Sequence, residues 1–460
     1  MVPNLVLADS QGQIFDHPDL LMLCRRGQEW GLPKPHELLP LPKESELFLL
    51  PERQAVGLNP HTGVPEIVED GFAVAAFVAP GHTLSAHPVY TQEANAQILP
   101  LFAYGAVGFA NDRFYVAAQK VDNDQRQCFA NIARSKIATK ARQLQKNYPR
   151  NRLIAHIINN CVARYDCPAA RNFALGRFEA PIPTSTSCNA RCLGCISKQD
   201  AESQIKTTPQ CRLTFTPTAQ EICEVMRIHA ERERERPIFS FGQGCEGDPL
   251  TQAGLLTEAI SLYRQKSGHG TINCNTNASR PNVIPDLAQA GLTSIRVSLN
   301  SAQEHYYTRY YRCQNYTFAD VVTSIRVARE HNLFVSLNLL FFPGLTDTEA
   351  ELQALAKLVG ENGVSMIQWR NLNIDPVWYY QTMTQDDEHL PTSSLSMGLT
   401  TFLKRLKTMC PWLIYGYFNP YLGDVAELTA PMPYTWVNPE KAAPGISPQV
   451  LTKTGISPNF

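Results

Sequence analysis

The sequence predicts an α/β chain: a parallel sheet assembled from βα units, preceded by a β-rich region and followed by an irregular extension. Three observations lead there. From about Ile182 to Asn371, short β-type runs alternate with amphipathic helical stretches, the pattern of repeated βα units. At 460 residues and 44% apolar content, the chain can fill a large core and two domains. Its 33 prolines are densest near the two ends, as in Leu32-Pro33-Lys34-Pro35 and Pro431-Met432-Pro433, which places irregular connections outside the central region.

Taken in order, residues 1–130 read as a β-rich domain of short strands and turns, with Ala73–Val78 and Arg113–Ala118 as examples. Residues 131–178 read as a helical basic connector. Between Ile132 and Arg152 it holds Arg134, Lys136, Lys140, Arg142, Lys146, Arg150 and Arg152 with no acid among them. Such a run can grip RNA phosphates, but it more commonly forms a solvated helix face, and the net charge of −1 favours the solvated face. Residues 179–375 carry the βα units. Their strands are expected at Pro237–Phe241, Thr271–Asn275, Ser294–Leu299, Phe334–Leu340 and Ser365–Arg370, with a first strand just before Cys188. Between them, Thr218-x-x-Glu221 fits a capping box. Phe318, Val321, Val322, Ile325 and Ala328 form a helical apolar stripe, as do Leu352, Leu355, Ala356 and Val359. Residues 376–460 are expected to form a C-terminal helix and an extension rich in proline and aromatic residues.

The chemistry centres on Ser187-Cys188-Asn189-Ala190-Arg191-Cys192-Leu193-Gly194-Cys195. A C-x3-C-x2-C loop offers three thiolates to one centre. A tetrahedral zinc would want a fourth ligand, whereas an iron–sulfur cube held by three cysteines keeps one iron open for something else. Later segments each follow an expected strand. Gly242-Gln243-Gly244-Cys245-Glu246-Gly247-Asp248-Pro249 combines backbone freedom with carboxylates. Asn275-Thr276-Asn277-Ala278 supplies amides, and Ser298-Leu299-Asn300 alternates polar positions with a buried one. Asn338 is a lone amide in an apolar strand and must find a partner. That strand ends in Pro343-Gly344-Leu345-Thr346-Asp347, where Thr346 or Asp347 suits a helix N-cap. Arg370 closes the last strand.

On these segments, in this order, the chain resembles the radical S-adenosylmethionine (SAM) superfamily. The resemblance implies a partial (βα)6 TIM-like barrel, with reactive groups at the C-terminal ends of its strands. It implies a 4Fe-4S cluster on Cys188, Cys192 and Cys195, and SAM held by Gly247, Asp248, Asn277, Ser298, Asn300, Asn338 and Arg370. The sequence departs from the family pattern in four places: Asp248 stands for Glu with Glu246 two places earlier, Ala278 for Gly, Asn300 for Asp, and Gly194 for the aromatic that many members place before the third cysteine. Adenine packing then falls to Leu193, Ile196 or a residue elsewhere. The implied chemistry is reductive cleavage of SAM to methionine and a 5′-deoxyadenosyl radical that abstracts hydrogen from a substrate, fed by an external donor such as flavodoxin or ferredoxin. The cofactor carries the difficult step, so no catalytic side chain is nominated. The substrate is unidentified, with a small metabolite or cofactor precursor in view. An RNA-modifying enzyme using the basic connector and a non-catalytic metal or redox sensor are the alternatives.

Thirteen cysteines without regular spacing outside the triplet do not form a secreted disulfide framework. The longest apolar run, Phe72 to Ala79, is short of the ~18 residues a membrane span needs, and a cytoplasmic location is expected. Cys245 and Cys274 lie near the expected barrel mouth and read as buried inert thiols, with hydrogen donation or ligation as the other option. Cys128, Cys161 and Cys167 match no ligand spacing for a second metal site, and Cys410 alone cannot build a C-terminal auxiliary-cluster domain.

Overall fold

The computed structural model describes residues 2–266, 268–385 and 395–423. The proline-rich Pro431-Met432-Pro433 segment and the rest of the expected extension beyond residue 423 lie outside them.

The N-terminal region is antiparallel. Its nine-stranded sheet is built around a long hairpin, Glu46–Leu58 with Pro65–Phe77, and includes Asn4–Ala8, Gly105–Ala110 and Arg113–Lys120. A three-stranded sheet lies beside it. Small side chains alternating into the interior, such as Ala73, Ala75, Ala106 and Ala117, let these strands pack closely.

The connector follows as helices Arg134–Asn147 and Arg152–His156, a π-helical turn over Ile157–Val162, and a helix over Pro168–Leu175. Ile137, Ala141 and Leu144 turn the first helix into the core, while Lys136, Lys140, Arg142 and Lys146 face solvent. Arg152 forms a 2.7 Å ion pair with Glu221, and Arg134 lies 3.7 Å from Asp166.

The central sheet is parallel throughout, its strands neighbouring one another in chain order: Glu179–Pro181, Ile238–Phe241, Thr271–Thr276, Ser294–Leu299, Phe334–Phe341, Met366–Asn371 and Ile414–Gly416. The six strands expected from the sequence form within a residue or two of their bounds, except that the first ends seven residues before Cys188. A seventh joins from beyond residue 375. It is a three-residue edge strand led by the exposed Ile414, too short to produce a periodic signal. Helices Ala219–Arg232, Ala253–Gln265, Ile284–Ala290, Phe318–Glu330, Glu349–Asn362 and Leu399–Met409 link or back the strands. Thr218 and Glu221 close the expected capping box. The cap of helix Glu349–Asn362 is Thr348, not Thr346 or Asp347, because Asp347 turns back to accept the Gly344 N–H at 2.6 Å.

Register sorts the two faces of this sheet. Val297, Leu337 and Ile367 share one rung and Leu299, Leu339 and Trp369 another, all buried toward the helices. Ser298, Asn338 and Gln368 share the intervening rung on the opposite face. Arg296 reaches across the fifth strand to Gln368 at 2.8 Å, and Gln368 donates to Asn419 at 3.0 Å, which in turn donates to Glu179 of the first strand at 2.8 Å. Such a chain of bonds closes only inside a curved sheet, so the polar face lines the lumen of a partial barrel.

The two ends of that lumen are finished differently. At the N-terminal ends of the strands, residues 417–422 cross the opening: Tyr417 donates to Asp122, Leu422 to Thr271, and Arg126 donates to the Asn419 carbonyl at 2.6 Å. At the C-terminal ends, the N-terminal domain docks beside the mouth. Leu84 donates to Asn371 and Thr83 to the Trp369 carbonyl, both at 2.8 Å, and Arg53 pairs with Asp375 at 3.2 Å with both side chains buried. Gly344, at φ 90°, lies so close to the Gly27 backbone that a side chain there would overlap it.

Candidate functional site

The cysteine loop leaves the first strand at the C-terminal end of the barrel. Its backbone is held from three sides. Arg191 and Leu193 donate to the carbonyls of Tyr311 and Tyr310 at 2.9 and 3.0 Å, Gln199 clamps the carbonyls of Leu193 and Cys195, and Gly247 and Asp248 donate to Ser185 and Ser187 at 2.7 and 2.9 Å. A side chain at Gly247 would collide with the Ser187 carbonyl, so glycine is what lets the two loops zip together.

Cys188, Cys192 and Cys195 are free, half-buried thiols on this one loop. Burial, then the charges of Asp248 and Cys195, push the Cys188 thiol up to about 11, with the Arg212 guanidinium opposing. Burial and the neighbouring Cys195 and Cys188 push Cys192 well above the usual thiol range, with Cys313 adding to it. Three soft thiols on one loop are a donor set suited to a cationic iron–sulfur or zinc centre, which would draw them into the thiolate form. They do not make up one of the close trios, all ligand atoms within 4.8 Å of one another, that a single ion gathers. Three thiols on one loop at the barrel mouth are the donor set that a cluster on three cysteines would use. Arg212, which lies in no motif or periodic stretch, donates to Cys195 Sγ at 3.5 Å and to Ser197 at 3.2 Å.

The two carboxylates of the second loop are both engaged with the backbone. Glu246 accepts from the N–H groups of Thr184, Ser185, Gly242 and Gln243 at 2.6–3.1 Å; burial pushes it up to about 7 against the pull of those donors. Asp248 accepts from Leu250 N, Thr276 Oγ1 and Asn277 N at 2.6–3.0 Å, and burial raises it too. Each carboxylate thus fastens one loop to the next. Asn277 continues the chain, donating to Asn189 inside the cysteine loop at 2.8 Å, while Asn189 donates to Ser279 at 2.9 Å. Asn189 lies inside the cysteine triplet's own spacing, and only its place between two ligands could have drawn attention to it. Ala278, where the pattern the sequence resembles has glycine, sits at φ 56°, the left-handed conformation that glycine adopts without strain.

The remaining expected contacts fall into two groups. Ser298 and Asn338 are neighbours on one rung of the lumen, half-buried and without side-chain hydrogen-bond partners among the described residues. Arg370 stacks on Tyr417, 4.0 Å from its ring, and donates to the Tyr417 carbonyl at 3.2 Å. Asn300 lies apart at the rim: its amide donates to the Tyr306 carbonyl and the Tyr379 hydroxyl at 3.2 and 3.3 Å, leaving Oδ1 buried and unpartnered. Of the two side chains considered for adenine, Leu193 is buried in the core and Ile196 packs against Gly244. The aromatic nearest the loop comes from helix Glu304–Tyr311, where the Tyr310 hydroxyl lies 2.9 Å from where a Gly194 side chain would begin. A larger residue before the third cysteine would displace Tyr310. Deep in the lumen, burial and the neighbouring charge of Arg370 lower the Arg296 guanidinium to about 9, and its Nε has no partner.

Residues 182–356 match the family model of the Radical SAM superfamily. No curated protein matches the chain. Among solved structures, the chain is similar to the radical SAM methyltransferase TsrM from Kitasatospora setae (16% identity, TM-score 0.33, covering 45% of this chain and 38% of that one). It is also similar to a radical SAM methyltransferase from Sphaerobacter thermophilus (15% identity, TM-score 0.33, 45% and 62%) and to HydG, a maturase of the [FeFe]-hydrogenase (16% identity, TM-score 0.34, 56% and 62%). The chain thus spans less than two thirds of each of these structures.

Proposed function

From the premise that residues 182–356 are a radical SAM domain, we infer that the protein is an enzyme that cleaves SAM reductively on a 4Fe-4S cluster held by Cys188, Cys192 and Cys195. The single observation that carries this reading is the zipping of the cysteine loop to Gly247-Asp248 and, through Asn277 and Asn189, to the end of the third strand, which makes the three loops one unit at the barrel mouth. When bound, the cluster and SAM supply the electron transfer and the 5′-deoxyadenosyl radical; the chain's own residues orient and enclose. Gly247 lets the cysteine loop lie against its backbone, Asp248 fixes the Asn277 backbone N–H, and Ser298 and Asn338 offer unpaired polar groups one rung into the lumen. Tyr310 walls the loop off from the helical side. An external one-electron donor, flavodoxin or ferredoxin, would serve as partner.

The lumen also suggests the kind of substrate. Arg296 and Arg370 are close enough for one to depress the other, with the Glu179 carboxylate opposing at Arg296, and neither guanidinium forms an ion pair among the described residues. Two such cations on the polar face of the lumen suit a small molecule bearing a carboxylate or phosphate. The test is anaerobic reconstitution with iron and sulfide, followed by dithionite and SAM. The expected result is release of 5′-deoxyadenosine that disappears in Cys192→Ala. A reconstituted protein that binds no iron, or cleaves SAM equally well in Cys192→Ala, would overturn the reading.

A further inference from the structure

A second group of metal-ligating side chains lies outside the cysteine loop, and the fold rather than the sequence assembles it. His156 and Cys161 belong to the connector, and Cys245 belongs to the loop after the second barrel strand. One ligand atom from each of the three lies within 4.8 Å of the other two. We propose that His156, Cys161 and Cys245 form a second metal site, taking a soft divalent ion of the Zn²⁺ class, that staples the connector to the loop carrying Glu246, Gly247 and Asp248.

Four features support the assignment. The sulfurs of Cys161 and Cys245 are 3.8 Å apart, which matches the edge of about 3.8 Å that two thiolates make around one tetrahedral zinc at ~2.3 Å. The local backbone explains how His156 and Cys161 come to act together. Residues five apart on an α-helix point about 140° away from each other, but the chain is π-helical over Ile157–Val162, with Ala163 N donating to Ile158 O at 3.0 Å. The i→i+5 pattern stacks residues five apart on one face. Third, His156 Nε2 is buried without a hydrogen-bond partner, while Nδ1 lies 3.1 Å from the Asn160 amide. A flip of that amide would let its oxygen accept from Nδ1–H, the outer contact that orients a metal-bound histidine. Finally, both sulfurs are sheltered: Cys161 and Cys245 are buried beside the half-buried His156, and Cys245 is fixed by its carbonyl, which accepts from Leu213 at 2.8 Å. Three protein ligands leave a fourth position for water or for the adjoining Cys167, whose backbone N–H already bonds the Cys161 carbonyl at 2.8 Å. Cys128 takes no part, since its sulfur donates to Glu44.

The test separates this site from the cysteine loop. Full-length protein carrying Cys188→Ala, Cys192→Ala and Cys195→Ala is loaded with Co²⁺ or Zn²⁺ and desalted. The expected result is about one equivalent of metal, with the thiolate-to-cobalt charge-transfer and intense d–d bands of a tetrahedral site. Both should vanish when Cys161→Ser and Cys245→Ser are added, and affinity should fall about tenfold or more in His156→Ala. In parallel, the otherwise wild-type chain with Cys161→Ser and Cys245→Ser should hold one zinc fewer than wild type after aerobic loading, which keeps the test open if the triple variant fails to fold. Folded protein that takes up no stoichiometric metal, or that keeps its metal and spectrum without Cys161 and Cys245, would overturn the proposal. So would a Cys161–Cys245 disulfide whose reduced form stays metal-free. None of these readouts depends on SAM cleavage, so failure here leaves the cluster assignment standing.

Discussion

The two ends of the barrel are built from the same kinds of residue and put to opposite use. At the base, polar groups answer one another: Glu179, Ser240, Gln368, Asn419 and Arg126 form one connected network, and a strap of chain crosses the opening. At the rim, the carboxylates are spent on backbone N–H groups, while Ser298 and Asn338 one rung below have no partner. The base groups are joined in one network, as in a closure, whereas the half-buried Ser298 and Asn338 stay free to meet a ligand. The contrast is an argument for the proposed site at the rim that does not use the family pattern.

The largest effect is expected at the rim. Asp248→Ala would leave the N–H groups of Leu250 and Asn277 without their acceptor and release the tie from Asn277 to Asn189 within the cysteine loop. Displacement of a reacting group by about 1 Å can cost on the order of 100-fold in rate. Release of 5′-deoxyadenosine by the reconstituted variant should fall by roughly that factor, while iron content stays at the wild-type level. Wild-type turnover in Asp248→Ala would show that this carboxylate does not organise the mouth.

The base should respond in the opposite sense. Asn419→Ala removes a donor from the buried Glu179 carboxylate and the acceptor of Gln368. The expected loss is about 2–3 kcal/mol of stability in urea unfolding, with SAM cleavage per folded molecule unchanged. If cleavage drops while stability holds, the base belongs to the site and the contrast fails.

These two residues also show what a sequence can and cannot disclose. Asp248 was legible because a glycine-rich loop after a strand carries a recognisable pattern, and the cysteine triplet because its spacing within one loop is itself the signal. The central strands were legible because apolar runs alternate with helical stripes. Asn419 was not legible: its role arises from a chain crossing that joins residue 419 to residue 179. The same holds for Tyr310 beside Gly194, for Arg212 beside Cys195, and for Cys161 meeting Cys245 from 84 positions away. Local spacing encodes sites built from one segment; sites built from several are encoded only by packing.

A pH measurement sharpens the view of the rim as structurally costly. Glu351, buried behind it, accepts from Ser301 Oγ at 2.5 Å, Ala302 N at 2.6 Å and Gln303 Nε2 at 2.9 Å, yet burial pushes it from 4.5 up to about 7. A carboxyl raised on folding binds more protons in the native than in the unfolded state between those two values. Stability should therefore fall as pH rises from about 4.5 to 7, by roughly 3 kcal/mol at most from this group. Urea unfolding of cluster-free protein at pH 5 and pH 7.5 should show the decline, and Glu351→Gln should make it shallower, Glu246 supplying a similar part of it. An identical slope in the variant would mean that Glu351 ionises normally.

The smallest effect belongs to the most exposed claim, that Asn338 is held ready for a ligand. Its amide shares a rung with Ser298 and Gln368, and among the described residues it bonds to nothing. Removing an unpartnered group leaves no orphan behind, so Asn338→Ala should change stability by less than about 1 kcal/mol, unlike Asn419→Ala. A lost hydrogen bond to a bound ligand is worth about 1.4 kcal/mol, which appears as a tenfold rise in the SAM or substrate concentration needed for half-maximal rate. The pair of numbers discriminates: a weakened fold would mean that Asn338 has a structural partner after all, whereas unchanged stability with weakened binding is what a rim left open for chemistry requires.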